Sequence, residues 1–115
     1  MKFICTGDYV KTFIIVTTDK VGFHKYDNAP DNVKFLRDLH RHKFHIKLGI
    51  EVKHDNRELE FFTVLYALES YIRDINEVGS CEMFATNIYN FFKDFYSRNC
   101  WVEVWEDKEN GARVE

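Results

Sequence analysis

From Lys43 to Lys53 the chain reads Lys-Phe-His-Ile-Lys-Leu-Gly-Ile-Glu-Val-Lys, and Phe44, Ile46, Leu48, Ile50 and Val52 alternate with mostly polar residues. Successive side chains on a β-strand point to opposite faces, so a strict period of two means that one face of this segment is buried and the other is not. A half-covered strand of this kind belongs to an antiparallel sheet with a layer packed on one side. The rest of the chain has to supply that layer.

Its candidates follow directly. Val64 or Leu65, Leu68 and Ile72 recur at spacings of three and four, which is helical. Asn76 to Ser80 interrupts the pattern around Gly79, and Phe84, Ile88, Phe91 or Phe92, and Phe95 mark a second amphipathic helix. Ser80 suits its N-cap, and Glu82 lies in its first turn, where the helix dipole favours a carboxylate. Lys11 to Thr18 holds a β-branched and aromatic run, and Trp101 to Trp105 alternates again, so both read as strands. Met1 to Cys5 reads as a further short strand with Thr6-Gly7-Asp8 as a turn, Asp27 to Asp38 as a loop with one helical turn, and Glu58 to Phe61 as the returning arm of a hairpin. The expected order is β, β, loop, β, β, α, α, β. This is an α+β fold in which an antiparallel sheet carries two helices on one face.

A chain of 115 residues without linker, repeat or low-complexity tract reads as one domain spanning 1–115. The net charge of −3, with scattered Lys and Arg, argues against a nucleic-acid partner, which needs a basic excess. No apolar run approaches the roughly 18 residues of a membrane span, and residues 1–10, with Asp8 among them, are not expected to act as a signal peptide. Three widely spaced cysteines, Cys5, Cys81 and Cys100, suggest free thiols in a reducing compartment, and a cytoplasmic location is expected. Aromatic residues make up 17% of the chain, enough to fill a core and also to cover an interface between subunits.

Chemistry concentrates in the histidines: His24, His40, His42, His45 and His54. His40-Arg41-His42 opens the best strand, and residues i and i+2 of a strand share a face. Two imidazoles so placed reach one metal ion, and His24, after the preceding strand, returns beside them in an antiparallel arrangement. Three imidazoles with an open fourth position are a catalytic type of zinc site. Neutral imidazole also suits copper, nickel or iron. His45 faces the opposite way if the strand is regular, and neither His45 nor His54 has a partner at useful spacing.

The segments Gly22-Phe23-His24-Lys25-Tyr26 and Leu39-His40-Arg41-His42-Lys43-Phe44 resemble the zinc motifs of the 6-pyruvoyl-tetrahydropterin synthase family, which includes the 6-carboxytetrahydropterin synthase of queuosine biosynthesis. Glu58-Leu59-Glu60-Phe61 is similar to that family's step into its first helix, and Ile75-Asn76-Glu77-Val78 to its interhelical stretch. Gly79 to Ala85 is similar to the start of its second helix, and Val102-Glu103-Val104-Trp105-Glu106 to its final strand. The resemblance extends over roughly residues 12 to 114. It implies the tunnelling fold (T-fold), a four-stranded antiparallel sheet with two helices on one face, assembled as a hexamer made of two stacked trimers. It implies zinc held by His24, His40 and His42, a pterin such as dihydroneopterin triphosphate as substrate, and Glu106 as the carboxylate that anchors the pterin ring through two parallel hydrogen bonds. The family's proton-transfer groups are a Cys in the loop before His-x-His and an Asp-His pair before the Leu-Asn step. The loop Asp31 to Leu39 contains no Cys, and Tyr71 and Ile72 stand at the matching later positions. Asp38 and Tyr71 are therefore the candidates for catalysis. The alternative is an oligomer that keeps zinc and binds a pterin, a purine-like ligand or a protein partner without the family reaction.

Overall fold

The structure is a computed structural model that describes residues 10–115. Four antiparallel strands form one open sheet in the order β1-β2-β3-β4: β1 Thr12–His24, β2 His40–Val52, β3 Cys100–Glu106 and β4 Asn110–Val114. Two helices, α1 Phe61–Ile72 and α2 Cys81–Tyr96, lie in sequence between β2 and β3, and a short 3-10 segment, Asp31–Arg37, lies between β1 and β2. The α+β class and the single antiparallel sheet agree with the sequence reading.

The alternation in β2 orients everything. Phe44, Ile46, Leu48, Ile50 and Val52 are all buried, and they share a core with Val64, Leu68 and Ile72 of α1 and with Phe84, Ala85, Ile88 and Phe92 of α2. The even-numbered residues of all four strands face the helices. Register carries this parity across the sheet: β1 meets β2 from Thr12↔Val52 to His24↔His40, and β2 meets β3 from Phe44↔Glu106 to Ile50↔Cys100. Each helix begins where its sequence supplies an acceptor for the unpaired N–H groups of the first turn. The Ser80 hydroxyl accepts from Met83 N–H at 3.1 Å, as expected of an N-cap.

Several elements differ from the reading. The strand and turn expected at Met1 to Asp8 lie outside the described residues. Glu58 to Phe61 is not a hairpin arm. Glu60 instead caps α1, accepting from the N–H groups of Phe62 and Thr63 at 3.0 Å each, which lowers its carboxyl pKa. Glu58 accepts from Arg98 at 2.8 Å and from Lys53 N–H at 2.6 Å, and the Arg98 bond first of all lowers its carboxyl to about 2. Side-chain acceptors have taken the place of a ladder in this segment. β1 runs to His24 rather than ending at Thr18, because pairing with β2 holds Asp19, Lys20 and Gly22, all weak strand formers, in the ladder.

The fourth strand is β4, which the alternation pattern did not reveal. Asp107 and Lys108, with φ of 54° and 62°, turn the chain back onto β3. Gly111 then fits under the Trp105 ring, where an added Cβ would lie 2.7 Å from the indole. Among the described residues, no helix is long and apolar enough to cross a membrane.

Candidate metal centre

His24 ends β1, His40 begins β2 and is its register partner, and His42 lies two residues further along the same face. Sheet geometry alone therefore brings the three rings together. Their centroids lie 4.5 Å apart for His24 and His40, 5.0 Å for His24 and His42, and 4.9 Å for His40 and His42. One nitrogen from each falls within 4.8 Å of the others, so the group could hold a metal ion. Beneath them Phe44 forms an apolar floor, its ring 5.4 Å from that of His24 and 6.0 Å from that of His42.

Each ring is held through Nδ1. His24 Nδ1 lies 2.8 Å from the Gly79 carbonyl, His40 Nδ1 2.8 Å from the Asp38 carbonyl, and His42 Nδ1 2.5 Å from Asp107 Oδ2. All three partners are acceptors. Carbonyl oxygens cannot donate, and the Asp107 carboxyl pKa is lowered, chiefly by the His42 hydrogen bond and then by the Lys43 N–H. Each Nδ1 must therefore carry the hydrogen, and in the neutral ring Nε2 keeps its lone pair. Metal-ligating histidines show this arrangement of a fixed tautomer with an oxygen behind it. His40 Nε2 is buried with no hydrogen-bond partner among the described residues. A buried polar atom without a partner is destabilising, and a metal ion between the rings would satisfy it.

Local structure explains these contacts. Phe23 N–H donates to the Asn76 carbonyl at 2.8 Å, and Val78 N–H donates to the Phe23 carbonyl at 2.9 Å, so residues 76–78 close the edge of β1. Gly79, at φ +69°, then turns its carbonyl toward His24 before α2 starts. On the other side, Arg37 Nη2 donates to the Ala29 carbonyl at 2.6 Å and Tyr26 N–H to the Leu36 carbonyl at 2.7 Å. These bonds fold residues 25–38 so that the Asp38 carbonyl reaches His40.

His24 and His40 line an open cavity of about 750 Å³, together with Tyr26, Cys81, Met83 and Glu106. Glu106 Oε2 is 3.4 Å from His24 Nε2 and accepts from the Cys81 thiol at 3.8 Å. Burial first, and the Glu106 charge second, push that thiol up to about 12, so Cys81 stays protonated. Of the two residues considered for proton transfer, Asp38 contributes its carbonyl to His40 and is otherwise exposed. Tyr71 stacks on Phe91 at 4.4 Å between the two helices, donates its hydroxyl to the Asn87 carbonyl at 3.4 Å, and is not part of the cavity lining. The sequence reading missed Asp107 and the Gly79 carbonyl. A turn carboxylate becomes a histidine partner only once the β3–β4 hairpin is known, and a main-chain acceptor has no signature in side-chain spacing.

The chain matches none of the known protein-family models and no curated protein sequence.

Proposed function

We propose that this chain holds zinc at His24, His40 and His42 and takes a pterin, such as dihydroneopterin triphosphate, in the adjoining cavity, in the manner of the 6-pyruvoyl-tetrahydropterin and 6-carboxytetrahydropterin synthases. One observation carries the reading: three rings fixed through Nδ1, with one nitrogen of each grouped within 4.8 Å of the others and His40 Nε2 buried and unpartnered among the described residues. Three imidazoles, with no fourth residue grouped with them among the described residues, leave a coordination position for substrate. Zinc there supplies Lewis acidity to a side-chain oxygen of the substrate. Glu106, on the same cavity wall, accepts two parallel hydrogen bonds from the amide and amino edge of the ring. The open four-stranded sheet, with Ile15 and Val21 each about half exposed on β1, suits joining to further copies in a T-fold hexamer.

A second reading is favoured by the placement of Tyr71 and the protonated Cys81. On this reading, the chain is a zinc-containing oligomer that binds a pterin, a purine-like ligand or a protein partner without the family reaction. General acid–base catalysis needs a titratable group within hydrogen-bond reach of the substrate. Incubating the purified protein with dihydroneopterin triphosphate, with and without a chelator, separates the two readings. A product that depends on zinc supports the first, and pterin binding without product supports the second. Metal content and native mass of wild type and His42→Ala test the centre beneath both. Full stoichiometric zinc in the variant would refute it.

A further inference from the structure

Of the three oxygens behind the histidines, two are main-chain carbonyls and one is a side chain, Asp107. Asp107 faces two donors at once. Its Oδ2 takes the His42 Nδ1–H, and its Oδ1 takes the Lys43 main-chain N–H at 3.0 Å, while its own N–H donates to the Lys43 carbonyl at 2.9 Å. The carboxylate thus extends the β2–β3 ladder one step past Glu106 and locks onto the strand that carries His42. We propose that Asp107 is a positioning residue that selects the metal-binding tautomer of His42, with the proton on Nδ1 and the lone pair on Nε2. The proposal rests on the metal reading above, but its claim about the tautomer holds for the metal-free protein too.

Asn at this position separates tautomer selection from a purely structural role in the turn. An amide has one acceptor oxygen and one donor nitrogen in place of two acceptors. The Lys43 N–H is fixed by its strand and cannot give up its hydrogen, so it claims the amide oxygen. The amide NH₂ then faces His42 Nδ1. The imidazole relieves that clash between donors by moving its proton to Nε2, the nitrogen that must ligate the metal. Asn keeps the shape and tolerates the positive φ of 54° found at this residue.

The test uses the full chain as Asp107→Asn and His42→Ala, with zinc or cobalt(II) alone as the probe, titrated against a chromophoric chelator. The apo-proteins are also compared by unfolding midpoint and by nitrogen-15 NMR of the imidazoles, which reports the tautomer. We expect Asp107→Asn to bind metal roughly 10–100-fold more weakly, the range typical of losing a partner behind a metal ligand. We also expect a midpoint lowered only slightly, since Asp107 is solvent-exposed, and a His42 proton moved from Nδ1 to Nε2. Wild-type affinity or an unmoved proton in Asp107→Asn overturns the proposal. Equal affinity in wild type and His42→Ala instead refutes the metal centre, and the tautomer measurement still decides the role of Asp107. Should the Asn variant not fold, the wild-type spectrum decides: a His42 proton on Nε2 overturns the proposal, and one on Nδ1 supports it.

Discussion

His42 and His45 lie three residues apart on β2, and each has an aspartate on its Nδ1 at 2.5 Å: Asp107 for His42 and Asp19 for His45. Viewed as pairs they are alike. They differ in their faces. His42 shares the helix face with His40 and, through register, with His24. His45 points to the other face, where its cross-strand neighbours are Asp19 and Trp105 and no second imidazole lies near. An Asp–His pair is thus a common device for fixing a ring. A metal centre requires several such rings with their free nitrogens converging, and in this fold the period of the strand makes that selection.

The largest effect expected from breaking this asymmetry is on metal binding. His42→Ala removes one of the three proposed ligands, and the loss should exceed the roughly 10–100-fold that changes behind a ligand produce. Competition with a chelator measures it. If His42→Ala and His45→Ala bind metal equally well, the convergence of the rings has no functional meaning.

Next in size is the floor of the centre. Phe44 is fully buried, contacts the rings of His24 and His42, and packs edge-on against Phe84 of α2 at 6.1 Å. Phe44→Ala should lower stability by about 3–5 kcal/mol, as large-to-small changes in a core do. Denaturant unfolding of the apo-protein measures this. The outer face has its own aromatic packing of a different kind: the Trp101 indole covers Gly49, where an added Cβ would fall 2.2 Å from it. Gly49→Ala forces that ring off the sheet and should destabilise by roughly 1–3 kcal/mol, the usual range for overpacking. Metal affinity should be unaffected, because Gly49 lies far along β2 from His42.

What could be read from the chain divides along similar lines. Strand β2, the apolar stripes of both helices, the Ser80 cap and the shared face of His40 and His42 were all legible, because each is a local period or a local cap. His24 was placed by the order of motifs, and register brings it opposite His40. What escaped depends on contacts distant in sequence. β4 contains Gly111 and few β-branched residues, and it holds only through pairing with β3. Glu60 looked like part of a strand because its role, accepting from Phe62 and Thr63, belongs to the helix that follows. Asp107 looked like an ordinary turn residue, since its partner on β2 is brought to it only by the sheet.

The smallest expected effect is the most discriminating. His45→Ala removes an imidazole whose side chain is only 14% exposed, together with its bond to Asp19, which is about half exposed. The pair itself contributes little because Asp19 is partly solvated, and losing the largely buried ring adds a packing cost, so the stability change should be about 1–2 kcal/mol. Metal affinity should match wild type, since the ring points away from the centre and its loss leaves the Nδ1 partners of His24, His40 and His42 in place. The same titration applied to His42→Ala and His45→Ala then compares two Asp-paired histidines on one strand. A marked loss of metal in His45→Ala would mean that β2 does not keep the strict alternation of its buried face through residues 42–45, and that the two faces are not independent.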